Sequence, residues 1–208
     1  MNILGDFQNE KKMIFGAYFV SAFVTYVLLF PLYAVELQKV RDWQAIVLLL
    51  KSKRGVELAC LLGAVKGADW ALYMTADEHV GALFAAVVCP IILFGFQEWV
   101  DQLLRGQPST LSRGLWRRSF LSVGTMADGW IHLSLFRFLR YYAIDYAYAP
   151  LWVGVCNVVA HSVGLFSTYP FTSVRRNKQR WWEGFALYYV RSSAASFFIS
   201  LFAEMLVQ

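Results

Sequence analysis

The chain has 208 residues, 58% of them apolar and only 16% charged, with a formal net charge of +5. A soluble domain of this length carries about a quarter charged residues, so the composition excludes an ordinary soluble globular protein and points to an integral membrane protein. The cations gather at the ends of apolar runs, which makes lipid headgroups their partners and leaves no basic face for nucleic acid.

A membrane span needs about 20 mostly apolar residues to cross about 30 Å of hydrocarbon. Six fit, at about 12–38, 55–78, 80–104, 115–146, 149–175 and 183–207, within a single membrane domain. The opening MNILGDFQNEKKM lacks the basic region, apolar core and cleavage site of a signal or transit peptide. The first span ends in FPLYAVELQKV, where Pro31 kinks the helix; Lys39, Arg41, Lys51, Lys53 and Arg54 follow. The second carries Lys66 and Asp69 and leads to Asp77, Glu78 and His79. The third closes on FGFQEWVDQLL, before Arg105, Arg113, Arg117 and Arg118. The fourth holds Thr125, Asp128, His132, Arg137 and Arg140. The fifth holds His161, read as a packed histidine, and ends in STYPFTSVRRNKQ, with Pro170 at the kink and Arg175, Arg176, Lys178 and Arg180 around it. The sixth carries Arg191. Cations accumulate on the side that is not translocated, so the three basic loops share one compartment and both termini the other; Arg137 and Arg140 break that pattern. Trp43, Trp99, Trp116, Trp181 and Trp182 toward one side, and Tyr142, Tyr146, Tyr148 and Trp152 toward the other, read as interfacial belts. Cys60, Cys89 and Cys156 lie apart in apolar runs, without disulfide or metal spacing.

The chain repeats itself. Each even span opens after a short cluster, Lys53-Arg54-Gly55, Trp116-Arg117-Arg118 and Trp182-Glu183-Gly184. Eighteen residues after the last member of each stands an aromatic: Tyr73, Phe136 and Phe202. Two odd spans place proline after an aromatic and lysine eight residues later; the middle copy has Gly95 at the proline's place. The expected fold is an all-α membrane protein with six transmembrane helices. They form three two-helix repeats, at about 12–78, 79–146 and 149–207, around a pseudo-threefold axis.

These residues resemble the mitochondrial carrier family, and the third repeat, HSVGLFSTYPFTSVRRNKQ with RWWEGFALYYVRSSAASFFISLFAEMLVQ, is most similar to the last repeat of an ADP/ATP carrier. The family signature is Pro-x-(Asp/Glu)-x-x-(Lys/Arg) at the end of odd helices, with an aromatic-cation-Gly element opening the even ones and aromatic-(Asp/Glu)-x-x-(Lys/Arg) closing them. The resemblance implies a multi-pass protein of the mitochondrial inner membrane, with basic loops in the matrix and both termini in the intermembrane space. It also implies gates of ion pairs, and here the sequence departs from the family. The matrix-side acidic positions hold Tyr33, Gln97 and Thr172, and the cation positions Glu36, Val100 and Arg175. On the other side the acidic positions are Met74, Arg137 and Ala203, and the cation positions Asp77, Arg140 and Leu206. Neither set forms a cyclic network. The loops are trimmed too: proline to glycine is 24 residues in repeat one and 14 in repeat three, shorter than in the family, where the loop holds an amphipathic helix.

The family's substrate contacts, seven residues beyond the opening glycine, fall on Leu62, Thr125 and Arg191. Ionisable groups within spans face a cavity or a partner. One reading is a residual cavity lined by Lys66, Asp69, Thr125, Asp128, His132 and Arg191. The other is self-neutralising pairs, Lys66 with Asp69 and Asp128 with His132. Helix starts at Gly55 and Gly184 offer N–H groups to phosphate. In the family such starts hold cardiolipin, and Arg54 makes the first the better lipid site. No nucleophile–base pair, phosphate loop or metal spacing appears, so no enzyme is expected. Two functions follow: a non-transporting, carrier-like accessory subunit of an inner-membrane assembly (a respiratory-chain complex or ATP synthase), or a divergent solute carrier for a small anion.

Overall fold

A computed structural model describes residues 3–32, 43–76, 80, 122–168 and 181–208. Among these residues the chain is all-helical: α1 (Ile3–Leu28), α2 (Trp43–Lys51), α3 (Lys53–Thr75), α4 (Ser122–Ala143), α5 (Ala149–Thr168) and α6 (Trp181–Val207). Helices lie within five of the six expected spans; the third span, apart from Val80, is outside the described residues. α1 begins nine residues earlier than expected and its regular part stops at Leu28. Leu29 is a turn, and helical backbone resumes over 30–32. Pro31 accounts for the break, because its ring displaces the carbonyl four residues back and it has no N–H to donate. α2 lies where only a basic loop was expected, and it buries Leu49 while Val47 and Leu48 face outward. Repeat one thus keeps a short loop helix despite its trimming.

The helices are inside-out relative to a soluble bundle. α1 buries Ala17, Tyr18, Ser21, Ala22, Thr25 and Tyr26 as one stripe and turns Val20, Val24 and Leu28 outward. α6 buries Arg191, Ser192, Ala195, Ser196, Ile199, Ser200, Ala203 and Glu204 and exposes Val190, Phe198, Phe202, Met205 and Leu206. Small and polar groups inside with large apolar ones outside suit a solvent of acyl chains, where hydrocarbon on the surface costs nothing and interior polar groups bind helices together. Three helices, over Asn9–Leu28, Ala149–Thr168 and Tyr188–Val207, are long and apolar enough to cross a membrane. The protein is an all-helical membrane protein.

Neighbour relations follow from close contacts. α1 packs on α3 and α6, α5 on both α4 and α6, and α2 on α3. Where α1 meets α3, Gly63 faces Phe23 and Gly67 faces Phe19, so the two run antiparallel. α4 and α5 are antiparallel as well, Asp128 lying at Gly164 and His132 at Asn157. So are α5 and α6, through Gly154 with Phe197 and His161 with Ser192. α3 and α4 meet through Trp70 with Phe136, Tyr73 with Gly129 and Ala76 with Arg137. Since α1 and α3 run antiparallel, the start of α1 lies at one end of that hairpin. Lys51, Lys53 and Arg54 are at the other.

Two short joints set the register. Between α2 and α3, Ser52 is extended (φ −82°, ψ 146°) and its Oγ accepts from the Gly55 N–H at 3.0 Å. The chain folds back so tightly that a methyl group at Gly55 would lie 1.8 Å from the Leu49 carbonyl oxygen, so only glycine fits. Between α4 and α5 the turn ends at Tyr148, whose φ of 62° is left-handed backbone. The repeat is not kept at every position: Tyr73 and Phe136 are buried, while Phe202, their expected equivalent, faces outward.

Candidate functional site

The interior polar groups form three clusters. The central one starts on α3, where Lys66 and Asp69, one turn apart, pair at 2.6 Å. Lys66 also stands over the Tyr26 ring of α1, 5.6 Å from its centroid. One turn further, the Tyr73 hydroxyl donates to the Gly129 carbonyl of α4 at 3.1 Å. On α4, His132 lies against Trp70 and Tyr73. Its partner is Asn157 on α5, Nε2 to Oδ1 at 2.7 Å. Asn157 Nδ2 donates to the Ser196 carbonyl at 2.8 Å and to Ser200 Oγ at 2.6 Å. That fixes the amide's orientation, and hence Nε2 as the protonated nitrogen of His132. His161, 5.2 Å from His132 between ring centroids, meets Ser192 Oγ at 2.8 Å. Ser192 already donates to the Tyr188 carbonyl, so His161 Nε2 is the donor here too. One string of bonds thus ties α4, α5 and α6 together.

The expected cavity residues do not share one fate. Lys66 and Asp69 neutralise each other. Asp128 and His132 do not pair, because His132 reaches across to Asn157 rather than down its own helix. Arg191, 5% exposed, is covered by Tyr188, its guanidinium 5.5 Å from the ring centroid. Thr125 lies on α4, with its side chain outside the described residues. Tyr33, Glu36, Gln97, Thr172 and Arg175 are also outside them.

The second cluster centres on Glu204. Arg140, at a cation position of the even-helix signature, donates from Nε to Glu204 Oε1 of α6 at 2.6 Å and from Nη2 to Oε2 at 3.0 Å. The Tyr18 hydroxyl of α1 donates to the same carboxylate at 2.8 Å. Glu204 is 1% exposed and receives three charge-assisted or hydroxyl bonds. Arg137 crosses to α3 and donates to the carbonyls of Tyr73 and Ala76, groups that a helix end leaves without intrahelical partners. A link between α4 and α6 therefore exists one residue beyond the signature position at Ala203. It also explains the two arginines that break the charge pattern: their charges are bound inside the bundle.

The third cluster is the start of α3. Arg54 is exposed, as a headgroup contact requires, but the Gly55 N–H is already capped by Ser52. A lipid phosphate there would have Arg54 and the neighbouring Lys53 as its cations; Lys53 is 3.9 Å from Glu57 in an exposed pair. Gly184 falls on the first turn of α6. Among the described residues, no group of three or more His, Cys, Asp or Glu side chains is placed to hold a metal.

Sequence reasoning missed Glu204, Tyr18 and Asn157. An acid and an amide inside apolar spans are themselves a signal, and Glu204 stands one residue beyond the signature position at Ala203. No family profile, curated protein or solved structure matches this chain.

Proposed function

We propose that this chain is a carrier-like membrane subunit that does not transport, serving as an accessory component of a mitochondrial inner-membrane assembly such as a respiratory-chain complex or ATP synthase, with a structural role in assembly and lipid contact. The observation that carries this reading is the commitment of interior polar groups to one another: Lys66 to Asp69 within α3, and His132 to Asn157, His161 to Ser192 and Arg140 to Glu204 between helices. Alternating access needs contacts that differ between two states, and the bonded string from His132 through Asn157 to Ser200, across α4, α5 and α6, favours a single one. The mitochondrial placement and the large host rest on the sequence resemblance and the trimmed loops. Gentle digitonin extraction of mitochondria, native gel separation and mass spectrometry test it. The chain is expected at one-to-one stoichiometry with a large complex, and migration alone as a small monomer defeats the proposal.

One observation favours the second reading, a divergent carrier for a small anionic metabolite. The Arg140–Glu204 pair joins two even helices near where the family closes its gate on that side. For a carrier, uptake into proteoliposomes depends on Arg191 and falls when the pair is cross-linked shut. For a structural subunit, correctly folded protein shows no uptake of any anion in either form.

A further inference from the structure

We infer that Asp128 is a proton-binding site, its carboxyl standing inside the bundle as the neutral acid with a proton as its ligand. Asp128 lies on the face of α4 that meets α5. Its Oδ1 is closed off from solvent and has no hydrogen-bond partner among the described residues. The backbone of α5 roofs it: a methyl group at Gly164 would sit 2.7 Å from Oδ1 and 2.9 Å from the Asp128 carbonyl oxygen.

The ionisable groups around it are otherwise engaged. On α3, Lys66 is paired with Asp69 at 2.6 Å and the Tyr73 hydroxyl donates to Gly129. On α4 itself, His132 directs Nε2 to Asn157. On α5, His161 directs Nε2 to Ser192. Among the described residues, an ionised carboxylate on the half-buried Asp128 would have Oδ1 closed off without a counter-charge, a costly state for an acid inside a helix bundle. Two ligands can neutralise it, a metal cation or a proton. A hard cation needs several oxygen ligands around it. Here one oxygen has no open surface and the Gly164 backbone lies against it. The proton is the ligand that fits. The inference concerns one carboxyl and does not rest on whether the chain transports or serves as a subunit.

The test uses the full chain in lipid nanodiscs at neutral pH, read by infrared difference spectroscopy between wild type and Asp128→Asn. Asparagine has nearly the shape of the neutral acid. The wild type should show the C=O stretch of a protonated carboxylic acid, lost in the variant and unchanged when sodium or potassium is added at constant pH. Absence of that band, its persistence in Asp128→Asn, or its loss on adding either cation overturns the proposal. Should the variant fail to fold, the wild type is treated with dicyclohexylcarbodiimide and mapped by mass spectrometry. The reagent takes the acid's proton on nitrogen while the carboxyl oxygen bonds its central carbon, and the adduct rearranges to a stable acylurea. Labelling at Asp128, with the ion-paired Asp69 and Glu204 untouched, is the expected result. Labelling of Asp69 or Glu204 in its place overturns it.

Discussion

The α1–α3 hairpin and the α4–α5–α6 group share close glycine packing, and the second adds a seam of interhelical hydrogen bonds. In the hairpin, Gly63 and Gly67 bring α3 so close to α1 that a methyl group on either would lie 2.9 Å from a backbone oxygen of Phe23 or Phe19. In the other group, Asn157, His132, His161, Ser192 and Ser200 form a hydrogen-bonded seam. Without a hydrophobic force between helices in lipid, close packing and interhelical hydrogen bonds are the two sources of association that remain; the hairpin shows the first, and the α4–α5–α6 group shows both, Gly164 approaching the Asp128 carbonyl as closely as Gly63 and Gly67 approach theirs. The regions are joined where Glu204 meets Arg140 and Tyr18, and where Arg137 and Gly129 meet the end of α3.

The largest expected effect is at that junction. Glu204→Gln leaves Arg140 buried without its counter-charge and should cost about 3–5 kcal/mol, read as a lowered thermal midpoint in detergent or lipid. Replacing both residues by leucine should recover most of the loss; if the double variant is as unstable as the single one, the junction holds by something other than the ion pair. Next comes the glycine seam. Gly67→Leu should cost about 3 kcal/mol by overpacking and loosen α1 from α3, seen as faster hydrogen exchange in those two helices while α5 and α6 stay protected. Equal loosening in all helices would mean that the two regions are one unit. Asn157→Leu removes three interhelical bonds and should cost about 2 kcal/mol at roughly 0.6 kcal/mol each, with the reverse pattern of exchange. The smallest effect lies outside both seams. Tyr148→Gly relieves the left-handed backbone at the α4–α5 turn and should gain about 1 kcal/mol; a loss would show that the exposed Tyr148 ring contributes more than its backbone costs.

The two seams were unequally legible in the sequence. Span positions follow from the length of apolar runs, a property each segment has alone, and five of the six expected spans hold a helix in the structure. The Lys66–Asp69 pair was legible for the same reason, since residues three apart share a helix face. Asn157, Glu204 and Tyr18 were not, because their partners are 25 to 186 residues distant and no local spacing announces them. Asp128 shows the limit from the other side: it has a histidine at i+4, yet α5 offers that histidine a better acceptor. Gly63 and Gly67, four residues apart in an apolar helix, were a readable sign of close helix approach that the repeat pattern overshadowed.

The Arg140–Glu204 pair has a consequence for the order in which the protein is made. The two residues are 64 positions apart, with all of α5 and most of α6 between them. Chains emerge from the ribosome N-terminal end first, so α4 is made carrying an arginine whose counter-charge does not yet exist. Its seating is provisional until α6 arrives. The packing of α4 is therefore completed by a residue made 64 positions later, and chains truncated before Glu204 should leave Arg140 without its counter-charge.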